Sequence, residues 1–269
     1  MCRLALALMV LILLGLLPAV ALADARLQFV DANGTPSEIL IRGAYARMDV
    51  STGQAERSGY LLFHADSRAL YLVDETTRTY LAFNEAVVDA QIRTMTSLIE
   101  DLRDLIRQLP EEERAQWDLQ LGTTLQRTPI TTEVISTDRR GRVGNIPCVH
   151  VEIRTGNRLR RIACVAPPES LGLSRRDFTT LDDLQNHLFT LSNRLLQAGG
   201  PMGHALSLQV TPRLGGVPLQ ISDYRDNVVT RLIAISTDPI SAESFRIPPG
   251  FQEASPFHSP SGLPWGNPD

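Results

Sequence analysis

Arg26-Leu-Gln-Phe-Val-Asp31, Glu38-Ile-Leu-Ile-Arg42 and Tyr45-Ala-Arg-Met-Asp-Val50 follow one another with only turn residues between them, and their reading decides the fold. Short apolar-rich runs at intervals of about ten residues are the pattern of an all-β segment. Asn33-Gly34 supplies a hairpin turn between the first two. Gly59 to His64, Ala69 to Asp74 and Thr79 to Phe83 continue the series. Strands with no helix between them cannot pair in parallel, because that needs a long crossover. The chain is therefore expected to begin as an antiparallel meander.

Beyond it, Val88, Ile92, Met95, Ile99, Leu102, Ile106 and Leu109 recur at steps of four and three, and Leu98 and Leu105 widen the stripe. This predicts an amphipathic helix. The stripe exceeds a two-stranded coiled-coil seam, so the helix is expected to lie on the sheet. Pro110 opens a shorter helix, with Glu111, Glu112 and Glu113 complementing its dipole and Gly122 closing it. A strand at Thr132 to Thr137 and a cysteine-containing hairpin follow. A second long helix is expected from Arg175 to about Ala198. Ser174 and Asp177 cap it, Phe178, Leu181, Leu184, Leu188, Leu191 and Leu195 form its apolar face, and Gly199-Gly200 ends it. Leu206 to Val210, Val217 to Tyr224 and Val228 to Ser236 return to strand, and Phe245-Arg-Ile-Pro-Pro-Gly-Phe251 closes the ordered part. The fold class is α+β, in one domain over 24–251. Residues 252–269, with Pro256, Pro260, Pro264 and Pro268, read as a disordered Pro-rich tail.

The first 23 residues read as a signal peptide. Arg3 gives the positive charge, Leu4 to Leu17 is apolar, Pro18 breaks the run, and Ala21-Leu22-Ala23 is a cleavage site ahead of Asp24. An uncleaved anchor is the other reading, since Leu4 to Leu22 approaches a spanning length; Gly15, Pro18 and the Ala-x-Ala favour cleavage. Cys2 is misplaced for a lipid attachment site. The expected product is a periplasmic protein with no membrane span.

Cleavage leaves Cys148 and Cys164, which flank Val-His-Val-Glu-Ile-Arg-Thr-Gly-Asn-Arg-Leu-Arg-Arg-Ile-Ala. Folding this hairpin about Gly156 sets Cys148 opposite Cys164 and Glu152 opposite Arg160, which would bring the sulfurs within reach of a disulfide. An even cysteine count in an exported chain agrees. A slip of one residue would instead leave two buried thiols on opposite faces.

The chain contains no lysine, so all 26 basic residues are arginine, against 30 acids. Every function that needs a phosphate-binding or Schiff-base lysine is excluded. A formal charge of −4 gives no support for a nucleic-acid partner. The histidines, His64, His150, His187, His204 and His258, show no zinc-helix spacing, and there is no Gly-x-Ser-x-Gly or Gly-x-Gly-x-x-Gly. No catalytic, metal or cofactor residue is assigned, and the chain is expected not to be an enzyme. The one conspicuous cluster is basic: Arg139, Arg140, Arg142, Arg154, Arg158, Arg160 and Arg161. Of these, Arg154, Arg158, Arg160 and Arg161 are the candidates for contact with anionic head groups, the alternative being a solvated hairpin.

Gly144-Asn-Ile-Pro-Cys148, the arginine-rich hairpin, Cys164-Val-Ala-Pro-Pro-Glu-Ser-Leu-Gly-Leu, the helix after it, Gly216-Val-Pro-Leu and Phe-Arg-Ile-Pro-Pro-Gly-Phe251 together resemble a family of exported proteobacterial proteins known only as a domain of unknown function. That family is similar in turn to the periplasmic lipoprotein carriers LolA and LolB. The resemblance implies a curled antiparallel half-barrel covered by two or three helices, with an apolar concave side able to hold acyl chains. The expected function is binding of a lipid, acylated protein or other amphiphile in an apolar groove. The competing expectation is an envelope protein-interaction or scaffold module with a filled core.

Overall fold

The computed structural model describes residues 24–50, 59–114, 131–206 and 211–254. Twelve strands form one open mixed sheet in an α+β arrangement. The first meander is β1 (Ala25–Asp31), β2 (Pro36–Arg42), β3 (Tyr45–Val50), β4 (Gly59–His64), β5 (Ala69–Asp74) and β6 (Thr79–Ala82). The second is β7 (Thr132–Val143), β8 (Ile146–Thr155), β9 (Arg158–Ala166), β10 (Val217–Asp223) and β11 (Val228–Ser236). β1 and β11 pair antiparallel and join the two, so the spatial order is β12-β6-β5-β4-β3-β2-β1-β11-β10-β9-β8-β7. The expectation of a wholly antiparallel sheet is corrected at one edge. There β12 (Gln252–Glu253) pairs in parallel with β6, and the Ala254 N–H donates to the Tyr80 carbonyl at 2.7 Å. Backbone groups on an edge strand are free to accept a segment that arrives from either direction.

Helix α1 (Glu85–Arg107) begins where the Asn84 side chain accepts the Val87 N–H. Helix α2 (Arg175–Leu206) begins at Ser174, whose hydroxyl accepts the Asp177 N–H at 3.1 Å and donates to the Asp177 carboxylate. Gly199-Gly200 does not end this helix, and Pro201 lies inside it. Glycine costs about 1 kcal/mol against alanine and proline about 3, penalties that a long helix already packed along its preceding turns can absorb. The helical turn after Pro110 is described through Arg114; its expected end at Gly122, and the expected strand at Leu206 to Val210 beyond its first residue, lie outside the described residues.

The core lies between the sheet and α2. Leu27, Phe29, Ile41, Val217 and Leu219 pack with Leu181 at the start of the helix, and Leu61, Phe63 and Leu70 pack with Leu184, Leu188, Leu191 and Leu195 farther along. Val88 and Ile92 of α1 join the second group. On the opposite face of β4 and β5, Tyr60, Leu62 and Val73 are covered by Ile247 and Phe251, while Phe245 and Ile240 cover Leu40. The segment from Pro239 to Phe251 is thus a strap leading from central β11 to the far edge. Tyr45, His64, Tyr71 and Tyr80 form an edge-on aromatic ladder across β3 to β6, with ring centroids 4.9, 5.8 and 6.1 Å apart.

Candidate functional site

Among the expected site residues, Cys148 and Cys164 form a disulfide, with Cα atoms 5.4 Å apart, inside the core beneath α2. The register that brings them together differs from the expected one. Gly156 and Asn157 both have positive φ, 55° and 65°, as a two-residue type I′ turn requires, and Thr155 pairs with Arg158. A bulge then inserts Arg160, after which Arg161 faces Ile153 and Cys164 faces His150 instead of Cys148. The net displacement is two residues, which keeps the face of every side chain, so the cysteines still meet on a diagonal. Glu152 lies opposite Ile162, not Arg160, and takes a two-pronged contact from Arg154 of its own strand at 2.7 and 2.9 Å.

The strand expected at Thr132 to Thr137 extends to Val143, through a three-residue bulge at Thr137 to Arg139. This bulge holds His150: the Thr137 hydroxyl donates to the His150 carbonyl at 2.7 Å, and the His150 ring nitrogen Nδ1 lies 3.1 Å from the Arg139 carbonyl. Gly141, opposite Cys148, leaves room for this arrangement, since a Cβ there would meet His150 Cε1 at 2.6 Å and Cys164 Sγ at 3.1 Å. Both cysteines are buried, which shields the disulfide from solvent.

The structure separates the arginine cluster. Arg139, Arg140 and Arg142 lie toward the β7–β8 turn, whereas Arg154, Arg158 and Arg160 lie at the other end of the strands, by the β8–β9 turn. Arg154 is engaged by Glu152, and Arg158 and Arg160 are exposed. Arg161 is half-buried, and desolvation lowers the pKa of its guanidinium. The four candidates are thus one ion-paired residue, two exposed cations and one partly buried group. Asp24 is buried and accepts the Ile240 N–H at 2.6 Å, while Ala23 lies outside the described residues.

The helix–sheet layer holds a group that sequence periodicity did not single out. His187, on α2, lies with its ring 5.8 Å from that of Phe63 and tilted 33° to it, and its Nε2 is buried without a hydrogen-bond partner. Burial, reinforced by the charge of Arg68 and opposed by Glu85, lowers its pKa. Helix α1 buries Val88, Met95, Ile99 and Ile106, but Leu98 and Leu105 are 54% and 58% exposed. They do not widen the buried face, as the periodicity had suggested; they form a second apolar side. The sequence signal for these relations is weak, because any apolar position beyond the i, i+3, i+4 stripe reads alike whether solvent or protein covers it.

Among the described residues there is no group of three or more histidine, cysteine or acidic side chains that could hold a metal ion. No described helix is long and apolar enough to cross a membrane.

No family model matches the chain, and no curated protein matches it. A crystal structure of an uncharacterized conserved protein from Thermus thermophilus is similar over 87% of this chain and 91% of that one, at 7% identity and a TM-score of 0.37. A structure of PNGF-II is similar over 86% of this chain and 31% of that one, at 6% identity and a TM-score of 0.39.

Proposed function

We propose that this is a non-enzymatic exported protein that binds a lipid, an acylated protein or another amphiphile in an apolar groove beside helix α1. The same proposal takes the open sheet as a curled half-barrel of the LolA kind, with residues 1–23 removed as a signal peptide and the mature protein in the periplasm. The observation that carries it is the two-sided character of α1. Helix α1 joins the core of Leu61, Phe63 and Leu70 through Val88 and Ile92 and presents Leu98 and Leu105 outward, so it carries apolar side chains on two faces. An acyl chain entering beneath or along α1 would gain about 0.8 kcal/mol per buried methylene.

One observation favours the second reading, a protein-interaction or scaffold module. Phe63, Leu184, Leu188 and Leu191 are each about 1% exposed, so α2 already fills the inner face of the first meander. Ligand entry therefore requires α1 to move and leaves α2 in place. Native mass spectrometry of the protein taken from the periplasm without reduction tests the proposal. A chain beginning at Asp24 with a dissociable lipid-sized passenger is the expected result. A bare chain, still bare after incubation with envelope lipids, overturns the carrier reading in favour of the interaction module.

A further inference from the structure

Three hairpin tips lie side by side at one end of the sheet. Arg161 of β9 faces Asp223 of β10, and Asp31 of β1 faces Thr230 of β11, so the β8–β9, β10–β11 and β1–β2 turns are neighbours. The β10–β11 turn is rigidly built. The Asp223 carboxylate accepts the N–H groups of Arg225 and Asn227 at 2.8 and 2.9 Å and the Asn227 side-chain amide at 2.9 Å, and these bonds, the Asn227 amide first, lower its pKa. The two large side chains of the turn are thereby projected outward: Tyr224 is 56% exposed, and the Arg225 guanidinium lies 5.1 Å from its ring centroid. Alongside them stand exposed Arg158 and Arg160, the latter in the bulge of β9, and exposed Val228 begins β11.

From this juxtaposition we propose that the rim formed by Tyr224, Arg225, Arg158, Arg160 and Val228 is a docking surface for an anionic phospholipid bilayer. The charge is complementary: three arginines face outward and the Asp31 and Asp223 carboxylates are taken up within their own turns, while among the described residues exposed Asp226 and, one strand farther out, Glu133 oppose them. A tyrosine with an adjoining cation suits the head-group layer, where an amphipathic ring sits between the acyl region and water. The chain as a whole is negative, at −4, so attraction to an anionic surface has to be local, and this rim is where the fold collects it. The proposal goes beyond amphiphile binding and needs no ligand beneath α1.

Cosedimentation of the purified protein with phosphatidylcholine vesicles, with and without phosphatidylglycerol, tests it at low and physiological ionic strength. Wild type is expected to bind only the phosphatidylglycerol vesicles, and less at higher salt. Each rim arginine contributes roughly fivefold near such a surface, so Arg158→Glu with Arg160→Glu is expected to lower partitioning at least tenfold. Tyr224→Ser is expected to lower it severalfold. Arg140→Glu with Arg142→Glu makes the same charge change at the opposite end of β7 and β8 and is the control, expected to bind as wild type. All these positions are exposed, and an unchanged thermal midpoint verifies the fold. Absence of phosphatidylglycerol-dependent binding by wild type, or an equal loss in the control, overturns the proposal. Lipid found by native mass spectrometry in a protein that fails this test would leave the carrier reading standing without a membrane-docking rim.

Discussion

The Asp24 carboxylate accepts the backbone N–H of Ile240 at 2.6 Å, joining the first described residue to the C-terminal strap. Arg42 clamps the same residue from its other side by donating to the Ile240 carbonyl at 2.8 Å. The Asp24 and Arg42 side chains themselves approach only to 4.0 Å, and Arg42 is substantially exposed, so the hydrogen bonds rather than the ion pair hold the strap.

Asp24→Ala is therefore expected to cost roughly 1–3 kcal/mol, because it leaves the Ile240 N–H without its acceptor in a buried place. Chemical denaturation measures the loss. Limited proteolysis should show cleavage in the strap before the rest of the chain, and an unchanged cleavage pattern would count against a latch.

The disulfide closes a sequence separation of 16 residues. Reduction, or Cys148→Ser with Cys164→Ser, is expected to lower stability by about 3 kcal/mol. Gly141→Ala should destabilise the oxidised protein by about 1–3 kcal/mol through overpacking against His150. His150→Ala should recover much of that loss in the double variant. Additive costs in a double-mutant cycle would show that Gly141 and His150 do not share this space.

Burial lowers the His187 pKa in the folded chain, so just below pH 6.5 the unfolded chain binds more protons. Stability should hold level above that value and decline as the pH falls through it. Asp182, whose pKa is raised chiefly by burial, contributes with the opposite sign. Denaturant midpoints measured above and below about pH 6.5 follow that decline. His187→Phe should flatten it, and a slope that persists in the variant would assign it to another group.

Leu188→Ala removes a side chain locked between α2 and the sheet and is expected to cost 2–5 kcal/mol. Leu105→Ala is expected to stay within about 0.5 kcal/mol, because that side chain faces solvent. Thermal and denaturant melts separate the two. A large loss at Leu105 would mean that its surface is covered in solution and would redirect attention from ligand to protein partner.

Much of the architecture was legible locally. The runs at residues 26–83 matched β1 to β6 because alternation and turn residues act over a few positions. Ser174 and Asp177 were legible as a cap for the same reason. The cysteine pairing survived a misread register because the turn and the bulge displaced β9 by two positions, an even number, and pleated strands repeat every two residues. Gly199-Gly200 was misread as a helix stop, since local propensity carries no account of the packing that sustains a long helix. Nothing in sequence spacing could unite Asp24 with Ile240, or place Arg158 and Arg160 beside Tyr224.

The sequence by itself determined the α+β composition, the succession of strands, the two amphipathic helices and the face shared by the cysteines, all of which follow from periods of 2 and 3.6 residues and from turn chemistry. Tertiary structure decided which of two apolar sides of α1 is buried, how a single arginine-rich run divides between opposite ends of the strands, and which hairpin tips become one rim. Those outcomes depend on strand register and on the antiparallel pairing of β1 with β11 across the chain, where contacts between distant segments, and not neighbours in sequence, set the position of each side chain.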